Sequence, residues 1–226
     1  MDKPITRRAS LLTLGGLAAG ALGWKTGPAG AAEGAGPAAV ASGAITCVLT
    51  PELTEGPFYV SGEKVRRDIT EGRPGVPLAL ALTIVDASTC RPVKGASVDI
   101  WHCDALGVYS GVQGNTGTFM RGVQRTDARG LARFTTVYPG WYQGRAVHIH
   151  VKVHIGGNVV HTGQFFFDDA ITDAAYTHAP YNARGARDVR DSTDSIYRNG
   201  GSRSLLAMKK SGSGYVGSIT MGVHRS

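Results

Sequence analysis

The chain predicts an all-β domain, an antiparallel β-sandwich core with long loops and little helix. Short apolar or alternating runs recur at 78–84, 96–101, 132–137, 146–155, 159–167 and 215–223. Turn signals such as Asp127-Ala128-Arg129-Gly130 and Gly156-Gly157-Asn158 separate them. Short strands at regular spacing between turns are the pattern of a sandwich. No stretch of the core carries apolar residues at a 3.6-residue period, so long helices are not expected.

Residues 1–31 stand apart from that fold. Thr6-Arg7-Arg8-Ala9-Ser10-Leu11-Leu12 reads as a twin-arginine export signature. It leads into an apolar run at 11–24 that is too short for a permanent bilayer span, and Ala29-Gly30-Ala31 offers a small-residue cleavage site. The expectation is a signal peptide, with the mature chain in the extracellular, periplasmic or cell-wall space and no stable membrane insertion. Residues 32–46, rich in Ala and Gly, read as a flexible lead-in. Residues 47–226 are long enough for one domain with a sizeable core.

Loss of residues 1–31 removes Lys3, Arg7, Arg8, Lys25 and Asp2, which lowers the formal charge from +7 to +4. No Lys/Arg run exceeds Arg66-Arg67 or Lys209-Lys210, which argues against a nucleic-acid partner. Cys47, Cys90 and Cys103 lack zinc-type spacing. An exported chain favours a disulfide. Cys90 and Cys103 fall at opposite ends of one predicted strand, so a Cys47–Cys90 bond is preferred.

The run at 146–155 alternates strictly. Val147, Ile149, Val151, Val153 and Ile155 share one face; His148, His150, Lys152 and His154 share the other. Two imidazoles on one strand face, beside phenol oxygens, suggest a metal site of nitrogen and anionic oxygen, which favours iron over structural zinc. A solvated polar strand face and a copper or zinc site on the two histidines are the alternatives. The stretch 169–199 reads as loop with one or two short helical turns.

Four segments occur in a meaningful order: Thr54-Glu55-Gly56-Pro57-Phe58-Tyr59, a strand at 98–103 leading to Tyr109, Pro139-Gly140-Trp141-Tyr142 with Arg145-Ala146-Val147-His148-Ile149-His150, and Thr162-Gly163-Gln164-Phe165-Phe166. Together, over about 50–197, they resemble the intradiol ring-cleavage dioxygenases, non-haem ferric enzymes that open catechols between the two hydroxyls. The resemblance implies Fe(III) held by Tyr109, Tyr142, His148 and His150. It places Arg145 and Gln164 toward the substrate, makes Tyr142 the ligand that leaves when substrate binds, and puts Tyr59 near the mouth of the site. It further implies a catechol-type substrate and O₂ as partners and a cis,cis-muconate-type diacid as product, and leaves a homodimer open.

Two departures from the family pattern stand out. His148 follows Tyr142 by only six positions, and Arg-Ala-Val-His replaces the usual Arg-Pro-Ala-His. Tyr138 competes for the second tyrosine role, with Tyr142 preferred because it follows Pro139-Gly140. Residues discriminating ring substituents are expected at 54–68 and 106–122, with Arg66 and Arg67 available to an anionic group. A secreted, non-catalytic β-sandwich module binding phenolic or carbohydrate surfaces is the competing function, and it leaves the Tyr/His set unexplained.

Overall fold

The computed structural model describes Cys47 and residues 49–225. The expected signal peptide and lead-in lie outside the described residues. Eight strands are described: β1 (Pro77–Asp86), β2 (Ser97–Trp101), β3 (Arg121–Arg125), β4 (Leu131–Val137), β5 (His148–Ile155), β6 (Asn158–Phe166), β7 (Ala207–Ser211) and β8 (Gly214–Val223). They form two four-stranded sheets, ordered β4-β1-β8-β7 and β3-β2-β5-β6. The sandwich is as expected, with one correction: β1 and β8 pair in parallel, while the other strand pairs are antiparallel. The chain leaves β1 for the second sheet and returns late to its edge, a long crossover of the kind parallel neighbours require.

The core lies between the sheets. Leu78, Leu80, Leu82 and Ile84 of β1 and Phe134 of β4 meet Val98, Ile100, Ile149, Val151, Val153 and Phe165 from the other sheet, all buried. Each such side chain contributes roughly 1.5–3 kcal/mol when removed from water. β1 alternates between buried and partly exposed residues over most of its length, whereas His148 through Val153 of β5 are buried on both faces. A third layer explains this. The segment before β1 lies over the outer face of the second sheet, with Leu53 N–H donating to the Thr162 carbonyl and Arg66 N–H to that of Val123.

β3 and β7 had no strand signature. Arg121-Gly122-Val123-Gln124-Arg125 carries one bulky apolar residue, and β7 is an edge strand bearing Lys209 and Lys210, a charged edge that resists further pairing. Between β6 and β7 lie α1 (Asp169–Tyr176), capped by the Asp168 side chain, and the one-turn α2 (Ser195–Arg198), capped by Asp194. Among the described residues no helix is long and apolar enough to cross a membrane.

Cys47 and Cys90 form the expected disulfide, and Cys103 is a buried thiol. The bond joins residues 43 apart in sequence and ties the start of the described chain to the turn after β1. Replacing both cysteines by serine is expected to cost about 2–4 kcal/mol of unfolding free energy. A urea titration would measure it, and an unchanged midpoint would contradict it.

Candidate metal centre

The outer face of the second sheet carries a row of side chains set by register. Trp101 of β2 stands opposite His150 of β5, which stands opposite Gln164 of β6. Trp101 stacks on the His150 imidazole with ring centroids 4.9 Å apart and planes 5° apart. His148 lies two residues earlier on the same face. Its Nδ1 is 2.7 Å from the Ala146 carbonyl, which only accepts, so Nδ1 holds the proton and Nε2 a lone pair. That Nε2 accepts from the Tyr142 hydroxyl at 3.1 Å and stands 3.1 Å from His150 Nε2.

Tyr109 arrives from the loop after β2. Asp104 Oδ1 accepts from Leu106 N–H and Val108 N–H, and Gly107 at φ +81° turns the chain where a Cβ would sit 2.3 Å from the Trp141 carbonyl oxygen. The Tyr109 ring packs 5.6 Å from that of Tyr142 and 6.2 Å from that of His150. Its hydroxyl is buried without a hydrogen-bond partner among the described residues.

Burial sets the electrostatics of the four groups. Desolvation, reinforced by Arg145, pushes His148 down to about 3. Desolvation and then His148 hold His150 well below its ordinary value. Desolvation raises Tyr109 far above 10, and it outweighs Arg145 in lifting Tyr142 to about 12. By themselves these groups are two neutral imidazoles and two neutral phenols. A bound cation reverses the preference of the phenols.

The donor set fits a hard, high-valent ion. Two nitrogens bound to one ion at about 2.0–2.1 Å and near right angles stand about 3 Å apart, in line with the 3.1 Å between the Nε2 atoms. The unpartnered Tyr109 hydroxyl and the Tyr142 hydroxyl complete a set of two nitrogens and two ionisable oxygens. Among the described residues no three His, Cys, Asp or Glu side chains gather as a metal-binding group; this cluster depends on its phenols.

The structure separates the two competing tyrosines. Tyr138 is fully buried in the sandwich core, and its hydroxyl bonds that of Thr172 at 2.8 Å, whereas Tyr142 is in the cluster. Tyr142→Phe is therefore expected to alter any metal-linked absorption and slow turnover by about a hundredfold, on the order of 3 kcal/mol. Tyr138→Phe should leave both unchanged and cost about 1 kcal/mol of stability. Spectra, rates and melts of the pair decide between them.

Arg145 lies beside the cluster, with Nη1 3.5 Å from His148 Nε2. Its Nη2 donates to Gln164 Oε1 at 2.7 Å, and Gln164 Nε2 donates to the Thr54 carbonyl at 2.8 Å. Gln164 is thus spent on Arg145 and the covering segment, and it bears on a ligand through Arg145.

Tyr59 packs on Trp101 and beneath the Lys152 ammonium. Burial, then the Asp99 carboxylate, pushes its hydroxyl up to about 12. It lines a separate cleft of about 610 Å³ with Glu63, Asp99, Arg125 and His154. Phe58 is the residue of this segment that meets the tyrosines, 4.6 Å from the Tyr109 ring and 6.1 Å from that of Tyr142. Arg66 is not open to an anionic group, being bonded to Glu71 and to the Thr118 and Arg121 carbonyls.

Sequence reasoning missed Phe58, Trp101, Gly56 and Asp194. Gly56 has φ +72°, and a Cβ there would sit 3.0 Å from His150 Cε1. Gly56→Ala combines left-handed strain of roughly 1–3 kcal/mol with pressure on a candidate ligand. It is expected to weaken metal retention about tenfold, in the range of changes next to a ligand. Competition with a chelator would measure this, and unchanged retention would contradict it.

A dioxygenase family model matches residues 54–174. The solved intradiol ring-cleavage dioxygenase of Tetranychus urticae is 34% identical with a TM-score of 0.76, over 79% of this chain and 95% of that one. Catechol 1,2-dioxygenase 1 of Acinetobacter lwoffii is 34% identical over 103 residues, which is 41% of this chain and 32% of that protein. Chlorocatechol 1,2-dioxygenase of Pseudomonas putida is 28% identical over 136 residues, 50% of this chain and 52% of that protein. The chain spans about a third to a half of the length of these two curated relatives.

Proposed function

The chain belongs to the intradiol ring-cleavage dioxygenase family, and from that premise we propose that it is a non-haem Fe(III) enzyme. In this reading it cleaves catechol-type diols between their hydroxyls with O₂, giving cis,cis-muconate-type diacids. The observation that carries the proposal is the convergence of the Tyr142 hydroxyl, His148 Nε2 and His150 Nε2 within 3.1 Å steps, beside a buried Tyr109 hydroxyl without a partner.

His148 and His150 would hold the metal as neutral imidazoles, and Tyr109 and Tyr142 would hold it as phenolates. When bound, ferric iron supplies the charge that ionises these phenols and the substrate, and the electron demand that opens the catechol to O₂. The two tyrosines are not equivalent. Tyr109 is 3% exposed and packed among Trp101, Cys103 and Phe58, whereas Tyr142 is partly exposed at the edge of that cluster. Tyr142 would therefore be the phenolate that accepts a catechol proton on its oxygen, while Tyr109 would keep its buried position. Arg145 Nη1 offers a preorganised donor to charge developing on the substrate oxygens. Phe58 and Trp101 wall the site with apolar surface that excludes water.

Export by the twin-arginine route is part of the same reading, with residues 1–31 removed. The Cys47–Cys90 disulfide supports it, since such bonds persist in oxidising compartments. A mature N-terminus near residue 32, found by mass spectrometry on secreted protein, is the expected result; retention of residues 1–31 contradicts it.

Oxygen uptake by the iron-loaded protein against catechol, protocatechuate, hydroxyquinol and alkylcatechols tests the activity. Diacid products carrying both atoms of labelled O₂ are expected from at least one substrate. No uptake at full iron occupancy, or cleavage outside the two hydroxyl carbons, would overturn it.

A further inference from the structure

The geometry points to Asp194 as the residue that aims Arg145 at the substrate, an inference that rests on the proposed function. Asp194 lies 49 residues beyond Arg145 in sequence, at the N-cap of α2, and is 2% exposed. Its two oxygens do different work. Oδ1 accepts from Ile196 N–H at 2.7 Å and Tyr197 N–H at 2.9 Å, which is helix capping. Oδ2 accepts from Arg145 Nε and from Ala146 N–H, both at 2.8 Å.

A guanidinium is a rigid planar fork, so fixing two of its nitrogens fixes the third. Asp194 holds Nε and Gln164 holds Nη2. Nη1 is left as the edge toward His148 Nε2, 3.5 Å away. Oδ2 also binds the backbone of the next residue, so it pins side chain and main chain to a single point. The carboxylate offsets the guanidinium charge as well. Arg145 would therefore act on substrate as an oriented donor and not as an unpaired positive charge. Asp194 bonds Arg145, Ala146, Ile196 and Tyr197 and none of the four candidate ligands, which makes it a positioning residue.

Asp194→Asn separates the two roles, because asparagine caps helices as well as aspartate does while its amide –NH₂ has nothing to offer Arg145 Nε. D194N is expected to keep iron content and visible spectrum, to lower kcat by about 10–100-fold and to change KM less than about threefold. Combined with Arg145→Ala it should add no further loss, since both changes remove one function. Independently of turnover, the Arg145 Nε–H resonance of the metal-free protein, assigned by its absence from R145A, should exchange slowly with solvent. D194N should abolish that protection.

Unchanged kcat per iron in D194N, multiplicative losses in the double variant, or a fast-exchanging Nε–H in the parent would each overturn the inference. If D194N fails to fold, the parent exchange measurement still decides it. If the parent cleaves no catechol, the proposed function fails instead, and the exchange measurement still reports whether Asp194 orients Arg145.

Discussion

Replacing Tyr109 by phenylalanine is expected to lower turnover by at least about a thousandfold, on the order of 4 kcal/mol of barrier, while leaving the folded protein as stable or more so. Both halves follow from one observation. The hydroxyl is buried and makes no well-formed hydrogen bond among the described residues, with only the Tyr142 hydroxyl to interact with, so without a metal most of a desolvation cost of roughly 1–3 kcal/mol is not offset. The ring is packed by Phe58 at 4.6 Å and by Trp101 and Cys103, and phenylalanine keeps those contacts. An ordinary core tyrosine loses stability when its hydroxyl is removed; one whose oxygen waits for a metal loses activity. Chemical melts of the chelated protein and rates of the iron-loaded one measure the two halves. Lost stability with retained turnover would show that Tyr109 is only a core residue.

The second large effect is expected from His148. Its Nδ1 is fixed on the Ala146 carbonyl and its Nε2 faces Tyr142 and His150, so no other atom nearby replaces that lone pair. His148→Ala should weaken iron binding by more than about a hundredfold, beyond what changes behind a ligand produce. The side chain lies outside the apolar cluster between the sheets, so the fold should survive. Added imidazole, which fits the space the ring vacates, should restore part of the iron and of the colour. Full iron retention in His148→Ala would remove it from the ligand set. His102→Ala makes a useful contrast: His102 is also buried, but bonds the Cys103 carbonyl and the Thr136 hydroxyl, so its loss should cost stability and leave iron in place.

What could be read in advance follows from where the physics is local. The β5 alternation depends only on consecutive residues, so His148 and His150 were recognisable as a same-face pair, and the apolar face of Ile149, Val151 and Val153 as core. Tyr109 and Gln164 lie on other segments and were reachable only through the family pattern. β3 and the parallel seat of β8 beside β1 had no local signal, since both depend on partners distant in sequence. Asp194 carried one weak cue, an aspartate before Ser195-Ile196-Tyr197-Arg198, which announces a helix cap but not the arginine 49 residues earlier. The partners of Gln164 and Arg66 were not readable for one reason: each is held by carbonyls or side chains of distant segments. The polar face of β5 looked ready for solvent. It is buried because the 53–66 segment covers it, with Glu55 paired to Lys152 and Gly56 seated against His150.

The most direct measurement is the visible absorption of the purified protein alongside its iron content. Two phenolates on ferric iron predict a red-brown charge-transfer band that grows in proportion to iron up to one per chain, disappears on chelation, and changes in Tyr109→Phe and Tyr142→Phe but not in Tyr138→Phe. A colourless protein holding one ferric ion per chain would contradict the tyrosinate centre and the chemistry built on it.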